Sequence, residues 1–214
     1  MIDSADALRS LYPQASARSL AKQLDRLDDT MRRFVAHAPL CVIASAGAAG
    51  EGLDSSPRGG RPGFVQVADE RTLLIPDVTG NNRLDTLENL LVDPRIGLLF
   101  LIPGGNEVLR AIGTARLRDS PEFTQRLAHR DVPKLPRLVV EVAVREAYLH
   151  CPKALLRSQA WSPEARVAPG SFPSMNAMLL AQLGPQVVTE TDAQALDRYR
   201  AQLADEGLAH LVKG

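Results

Sequence analysis

The chain has 214 residues, with 25 lysine and arginine residues balanced by 25 aspartate and glutamate residues, and aromatic residues make up 4%. It therefore has neither the overall positive field nor the stacking side chains that nucleic-acid binding uses, and no net charge to attract an anionic membrane. The longest apolar run, residues 96–102, is far below the roughly 20 residues of a membrane-spanning helix, and the acidic N-terminus lacks a signal pattern, so we expect a cytoplasmic protein.

Helices are predicted at the N-terminus. Residues 4–11 form a short helical segment that ends before Pro13. Apolar residues then recur at intervals of three and four, at Leu20, Leu24, Leu27, Met31 and Phe34. This spacing predicts one amphipathic helix over residues 19–37, ending near Pro39 and lying across a barrel.

Seven short apolar or alternating runs follow, separated by glycine-rich turns. They are residues 40–44, 52–56, 63–67, 72–75, 95–102, 107–118 and 138–144. In the 107–118 run the odd positions are small or apolar, which is typical of a half-buried strand. Residues 40–67 leave no room for helical crossovers, so the pattern favours a closed antiparallel barrel with helical additions over a doubly wound sheet.

More helices are predicted towards the C-terminus. Ser120 and Pro121 are typical of a helix start, and residues 131–137, with two prolines, are predicted to be a linker. Residues 173–183 and 189–208 read as two further helices, the second opening with Thr189 and Asp192 spaced as a capping box.

The cysteines and histidines offer little recognisable site chemistry. Cys41 lies in an apolar strand and is expected in the core, whereas Cys151 adjoins His150 and precedes Lys153, a setting that could lower a thiol pKa. No orienting acid is evident near Cys151, so a structural role is favoured. The spacing of the four histidines predicts no metal site. We assign no general acid or base: His37 is expected at a helix end, and His150 is the better candidate.

Two segments place an arginine beside turn-forming residues. Residues 54–59 read Asp-Ser-Ser-Pro-Arg-Gly, and residues 76–83 read Pro-Asp-Val-Thr-Gly-Asn-Asn-Arg. Main-chain N–H groups and a guanidinium can converge on one anion in such segments. Asn82 is predicted to cap a helix, so that Arg83 would lie in its first turn, where free N–H groups attract negative charge. The alternative is that Arg83 merely solvates a capped helix.

In their order, these segments resemble the FMN-binding split barrel of the pyridoxamine 5'-phosphate oxidase class. The resemblance extends to residues 61–65, 88–95 and 109–115, which read Arg-Pro-Gly-Phe-Val, Glu-Asn-Leu-Leu-Val-Asp-Pro-Arg and Leu-Arg-Ala-Ile-Gly-Thr-Ala. The chain is similar to a subgroup of this class that has a C-terminal His-Cys-Pro-Lys signature, here residues 150–153.

The fold that the resemblance implies is mainly β with helical additions. It is a six- to seven-stranded antiparallel split β-barrel with helices at both termini. We expect one domain over residues 1–214, comprising N-terminal helices over residues 1–38, the barrel over 39–150 and a helical extension over 151–214.

The resemblance also implies FMN as the cofactor. It assigns Arg58 and Arg83 to the phosphate, with neutral hydrogen bonds from Ser56 and Asn82. Three further residues would face the flavin ring or its ribityl chain, namely Ser55, Pro76 and Asp77. The stiffness of Pro57 and Pro76 would hold the backbone in place before binding.

Members of this class usually bind flavin at the two-fold interface of a homodimer. Lys153 and Arg157 are four residues apart and could share one helical face. With Ser158 and Trp161, this face is expected to supply the partner subunit's wall of the flavin site. The alternative is a solvated basic face with Trp161 as a packing anchor.

A flavin site does not identify the substrate, because the cofactor supplies the redox chemistry. The expected function is an FMN-dependent oxidoreductase acting on an unidentified small molecule. The oxidase that makes pyridoxal phosphate uses a C-terminal segment of the type Arg-Leu-His-Asp-Arg, which this chain lacks, so pyridoxamine phosphate is not the expected substrate. The alternatives are a flavin carrier, sensor or haem-associated module without turnover, and a barrel that binds another phosphorylated or aromatic ligand.

Overall fold

One antiparallel sheet of seven strands forms most of the fold. The structure, a computed structural model, describes residues 1–48, 52–78, 80–128 and 134–208. The strands are β1 (Leu40–Ala46), β2 (Leu53–Gly59), β3 (Gln66–Asp69), β4 (Thr72–Pro76), β5 (Arg95–Leu101), β6 (Val108–Arg118) and β7 (Val139–His150). They lie in the order β2-β1-β5-β6-β7-β4-β3, each antiparallel to its neighbours. A strand overlaps each of the seven predicted runs, although only residues 66 and 67 of the run 63–67 are strand and β7 extends to residue 150. The mainly β class is confirmed.

The sheet is split rather than closed. Within the described residues no hydrogen-bonded ladder joins the end strands β2 and β3. The closed barrel predicted from the strand pattern is therefore wrong, and the split barrel is confirmed. Both end strands have edge features: Pro57 in β2 has no N–H to donate, and the pairing of β3 is interrupted between Val67 and Asp69.

A common apolar core joins the strands to one another. Phe100 of β5, Leu73 of β4 and Val142 of β7 are all fully buried in the same cluster. Along β6 the odd residues from Leu109 to Ala115 are buried while the even ones remain partly accessible, as predicted for a half-buried strand.

The β6–β7 ladder contains a bulge at its centre. The register shifts between Ile112 and Gly113, so that Arg145 of β7 has no partner opposite it. At this point the backbones approach closely: a Cβ at Gly113 would lie 2.1 Å from the carbonyl oxygen of Ala143. Glycine is therefore required by close packing here.

The described residues also contain eight α-helices, at the ends of the chain and between strands. They are α1 (Ala5–Arg9), α2 (Ala17–Ala21), α3 (Asp29–His37), α4 (Asp85–Val92), α5 (Pro121–Arg126), α6 (Lys153–Ser158), α7 (Met175–Leu183) and α8 (Asp192–Asp205). None of the helices in this part of the chain combines the length and apolar character needed to cross a bilayer.

The single helix predicted over residues 19–37 is wrong. The chain forms α2 and α3 instead, because Leu24 exchanges backbone hydrogen bonds with Ala147 of β7 and Leu27 N donates to the Glu70 carbonyl. Asp28 then caps α3 by accepting a hydrogen bond from Met31 N. The apolar spacing correctly identified Leu27 and Met31 as buried, but Leu20 is 62% exposed, and the backbone between the two helices is used by the sheet.

A hydrogen bond ties the end of the C-terminal helical region to the barrel. The Arg61 guanidinium, in the β2–β3 connection, donates to the Gly207 carbonyl at 2.8 Å, just after α8.

The capping box of α8 is formed by Thr191 and Gln194, so the predicted pair Thr189 and Asp192 is wrong by two residues. Ser120 and Pro121 begin α5 as predicted, whereas residues 131–133 of the predicted linker lie outside the described residues.

Replacing Gly113 with alanine should destabilise the protein by about 1–3 kcal/mol, because the added methyl group would overlap the Ala143 carbonyl. Gly97→Ala in the adjacent strand is the matched control. Its Cβ would lie 3.6 Å from that of Ala44, an ordinary contact, so its effect should stay within about 0.5 kcal/mol. Urea denaturation measures both changes. Equal midpoints for the two variants would contradict the packing argument.

Candidate functional site

The side chains of β2 alternate between two faces of the sheet. Ser56 pairs with Ile43 and Arg58 with Cys41, two buried residues of β1. Ser56 and Arg58 therefore lie on the inner face, where α4 packs against β1 and β2. Ser55 and Pro57 are exposed on the opposite face.

An open cleft of about 220 Å³ lies between β2 and the connection from β4 to α4. Its lining residues come from both predicted anion-binding segments. They are Ser56, Pro57, Arg58, Gly59, Asp77, Val78, Gly80, Asn81, Asn82, Arg83, Leu84, Asp85, Thr86 and Leu87. The two segments are thus neighbours in space, although more than twenty residues separate Arg58 from Arg83 in sequence. Ser55 and Pro76 do not line this cleft.

A polar network beneath the cleft fixes the Arg58 side chain. Arg58 Nη2 donates to the hydroxyl oxygen of Thr86 at 3.2 Å, and that hydroxyl donates to Asp54 Oδ2 at 2.6 Å. Ser56 Oγ donates to the same carboxylate at 3.0 Å. Because Thr86 is 2% exposed, losing Asp54 would leave the buried hydroxyl proton without this acceptor. The network joins the inner face of β2 to the first turn of α4.

The backbone before α4 adopts an unusual conformation. Asn82 and Leu84 both lie in the left-handed region, with φ values of 56° and 62°. Leu84 occupies the N-cap position without a side-chain hydrogen bond, and α4 begins at Asp85. The prediction that Asn82 caps the helix is therefore wrong. The side chain of Asn81 accepts a hydrogen bond from Arg83 N at 3.1 Å and so closes a turn ahead of the helix.

Arg83 is the more exposed of the two arginines. Its Nε donates to Asp85 Oδ2 at 2.8 Å, and 71% of its side chain is accessible. The hydrogen bond and charge of Arg83 lower the pKa of the Asp85 carboxyl. Arg58 and Arg83 line the same cleft, but each has its own partner within the described residues.

Asp77 adds a half-buried carboxyl to the cleft. Burial raises its pKa, and the nearby charges of Arg58 and Arg137 act in the opposite direction. Its backbone N donates to the Leu138 carbonyl at 2.9 Å, which fixes the end of β4 beside the start of β7. The lining therefore contains two guanidinium groups and two carboxyl groups.

The predicted C-terminal residues lie away from the cleft within one chain. Lys153 and Arg157 are exposed on α6, four residues apart, and Ser158 donates to the Leu155 carbonyl. Trp161 is half-buried, and its Nε1 donates to the Gly105 carbonyl at 2.6 Å. Trp161 borders a separate groove, between α6 and the turn that joins β5 to β6.

The two cysteines have contrasting surroundings. Cys41 is fully buried, as predicted, and burial raises the pKa of its thiol to about 12. Cys151 is exposed, and both cysteines are free. His37 lies at the end of α3, where its ring contacts the Arg33 carbonyl at 2.7 Å. Among the described residues no group of three histidine, cysteine or acidic side chains is arranged to hold a metal ion.

Sequence comparison identifies the family of the chain. The sequence model of the family described as pyridoxamine 5'-phosphate oxidase matches residues 27–151, more than half of the chain. The chain belongs to this family. The matched region begins two residues before α3 and ends after β7, so it contains the whole sheet and the cleft of this oxidase-family member. No curated protein gives a significant match.

Several solved structures are similar to part of this pyridoxamine 5'-phosphate oxidase family member. HupZ of Group A Streptococcus is 16% identical, with a TM-score of 0.45 over 56% of this chain and 91% of its own. A Clostridium acetobutylicum protein related to general stress protein 26 is 12% identical, with a TM-score of 0.42 over 55% and 83%. An FMN-binding protein of Syntrophomonas wolfei is 8% identical, with a TM-score of 0.43 over 56% and 83%. Family membership rests on the sequence match alone.

Asp54 and Thr86 form hydrogen bonds with predicted site residues, and the charge of Arg137 opposes the burial that raises the pKa of Asp77, but none of the three was predicted. Asp54 had a usable signal, because it is two residues before Ser56 and must share its face of β2. Thr86 and Arg137 reach the site from α4 and from the chain before β7. Their contacts depend on the packing of distant segments and leave no periodic signal.

Thr86→Val should destabilise the protein by about 1–3 kcal/mol, because it removes the hydroxyl that links Arg58 to Asp54 while leaving both groups half-buried. Thr114→Val is the control: Thr114 is half-buried on β6, and the described residues give its side chain no hydrogen bond. Its effect should stay within about 0.5 kcal/mol. Chemical denaturation of both variants measures the difference, and equal losses would contradict a role for the network.

Proposed function

We propose that the protein is an FMN-binding oxidoreductase of the pyridoxamine 5'-phosphate oxidase-like class, transferring hydride or electrons between FMN and a small molecule. One observation carries the proposal: in a chain of this family, Arg58 and Arg83 line a single cleft. Two guanidinium groups are suitable donors for a phosphate monoester, and the Ser56 hydroxyl would join them by turning from Asp54 to the phosphate.

The donors available in the cleft fit the phosphate end of the cofactor. Arg58 has five N–H groups, and the described residues engage two of them, through Pro57 O and Thr86. Arg83 is held by an exposed ion pair with Asp85. Exposed pairs of this kind stabilise by only about 0–1 kcal/mol, so Arg83 can exchange the carboxylate for a phosphate at little cost. Asn82 is placed beside them to donate a neutral hydrogen bond.

The volume of the cleft limits how much of the cofactor one chain can enclose. About 220 Å³ is less than the roughly 300–1,000 Å³ of typical small-molecule pockets. We propose that the cleft holds the phosphate and part of the ribityl chain, with Asp77 beside the latter. The ring would then extend past Pro57, Ser55 and Pro76 towards a second subunit.

The outer face of the sheet offers a surface for that second subunit. Across β2, β1 and β5, one row contains Pro57, Val42 and Leu99, and the next contains Ser55, Ala44 and Gly97. These side chains are small or apolar, and Leu99 is 39% exposed at the centre of the sheet. We propose that a second copy covers this face in a homodimer.

In this dimer, α6 of each subunit would complete the flavin site of the other. We propose Lys153, Arg157, Ser158 and Trp161 as that wall. The positive charges of Lys153 and Arg157 are exposed on one helix and have no ion pair among the described residues. They are therefore available to a ligand from another subunit. Bound flavin supplies the redox chemistry, while these residues orient it and exclude water.

We further propose that residues 1–214 act as one domain in the cytoplasm. The pair of backbone hydrogen bonds between Leu24 and Ala147 joins the N-terminal segment to β7. The hydrogen bond from Arg61 to the Gly207 carbonyl joins the end of the C-terminal helical region to the β2–β3 connection. The two free cysteines agree with a reducing compartment.

A flavin carrier or sensor without turnover is the second candidate. Reduction of the bound flavin by a nicotinamide or deazaflavin donor would separate the two functions. A purified protein that neither contains nor takes up flavin would instead indicate another phosphorylated or aromatic ligand.

Arg83→Ala should weaken FMN binding roughly tenfold to over a hundredfold, the scale of a charge-assisted hydrogen bond. Arg95→Ala is the matched control, since Arg95 is also an exposed arginine paired with an aspartate two residues away, Asp93, but does not line the cleft. Fluorescence titration of the apo-protein with FMN measures both constants. If the FMN dissociation constant of Arg83→Ala equalled that of the control, Arg83 would not be part of the FMN site.

Mixing subunits tests the proposed partner wall. Arg83→Ala and Arg157→Ala homodimers should each bind FMN poorly, because every site lacks one arginine. Each heterodimer formed from the two should regain one intact site, in which Arg83 comes from one subunit and Arg157 from the other. FMN binding is measured before and after subunit exchange. If exchange occurs without recovery, Arg157 does not act across an interface.

A further inference from the structure

Three basic side chains surround the ring of Tyr148 at the end of β7. Lys22 Nζ lies 5.2 Å from the ring centroid, and the Arg110 guanidinium carbon lies 5.6 Å from it. The His150 ring centroid is 5.0 Å away. We call Lys22, Arg110, Tyr148 and His150 the basic cluster. None of the four lines the cleft between β2 and α4.

Hydrogen bonds hold the basic cluster in place. Arg110 and Tyr148 are directly opposite in the β6–β7 ladder, and Arg110 Nη1 donates to the Tyr148 hydroxyl at 3.1 Å. Lys22 Nζ donates to the Leu149 carbonyl at 2.7 Å. The backbone bridge from Leu24 to Ala147 fixes the segment that carries Lys22. The positive groups are thus kept together although they repel one another.

No carboxylate compensates these charges within the described residues. None of Lys22, Arg110 and His150 forms an ion pair there. Glu146, two residues before Tyr148 on β7, is not paired with them either. Elsewhere on the same two strands an arginine is paired with a carboxylate: Arg118 donates to Glu141 at 2.8 Å. Burial, then the charges of Lys22 and Arg110, lower the pKa of His150.

The His150 ring also has an unsatisfied atom. Its Nε2 is sealed from solvent and has no hydrogen-bond partner among the described residues. Buried polar atoms are normally paired, so an atom of this kind needs an explanation. An oxyanion that displaced the groups covering this atom would accept its hydrogen bond and favour the imidazolium form.

We propose that the basic cluster binds the carboxylate or phosphate group of a small-molecule ligand. Lys22 and Arg110 provide the fixed positive charges, Tyr148 positions Arg110, and His150 donates the additional hydrogen bond. The ligand is an oxyanion because Lys22, Arg110 and the unpaired imidazole of His150 converge without a carboxylate of their own among the described residues. This site stands independently of flavin binding, since it shares no residue with the proposed cofactor site.

The test uses sulfate and acetate as probes, because both keep their charge between pH 6 and 8. The Cε1–H signal of His150, assigned with His150→Gln, is followed by NMR in the full-length protein during pH titration. With sulfate the pKa of His150 should rise by about one unit, a roughly tenfold preference of the anion for imidazolium. The reference is sodium chloride at equal ionic strength, since screening alone also reduces the repulsion from Lys22 and Arg110. A stronger response to acetate would identify a carboxylate ligand.

Variants distinguish a built site from general screening. Arg110→Met and Lys22→Met should each weaken the saturable sulfate response about tenfold or more. Arg116→Met removes a cation from the same face of β6, six residues after Arg110. It should leave the sulfate response within about twofold of that of the unaltered protein. Lys22 is exposed, so Lys22→Met tests the site even if Arg110→Met is unstable. An equal response in all three variants, or none beyond the chloride reference, would overturn the proposal.

Discussion

The alternation of side chains along β2, together with the hydrogen bonds that attach its inner face to α4, determines the geometry of the cleft. Arg58 can lie in the cleft because Thr86 holds its guanidinium and Asp54 holds Thr86. The same carboxylate accepts from Ser56. A second contact, from Asn89 to Ser45, keeps α4 against β1. Any ligand that enters the cleft therefore meets side chains whose positions are set by buried contacts, which lowers the cost of ordering them.

The sequence predicted the strands well and the helix boundaries less well. Most of the strands are apolar or alternating runs with glycine or proline nearby, a signal that remains visible without tertiary context. Helix ends depend on which backbone groups are taken by other parts of the chain. Leu24 has suitable helical spacing but pairs with Ala147, and α4 begins after a residue in the left-handed region, which propensity does not anticipate. The open edge between β2 and β3 likewise depends on long-range pairing.

The site was predictable to the extent that its residues lie in local motifs. The segments with Arg58 and Arg83 each combine an arginine with a turn, and the structure brings both to one cleft. The ion pair of Arg83 with Asp85 could be read from their spacing, whereas the support from Thr86 could not. The proposed role of the residues on α6 cannot be seen in a single chain, because their proposed ligand is bound by another subunit.

The unequal environments of the two cysteines have a practical consequence. A maleimide or spin label requires an accessible thiolate, which the core thiol of Cys41, with a pKa of about 12, does not offer. Labelling of the unaltered protein should therefore be confined to Cys151, directly between His150 and α6. One reagent would then place a single reporter group per chain beside both the basic cluster and the helix proposed to reach across the dimer. Distances between such groups in paired subunits could be read without introducing a mutation.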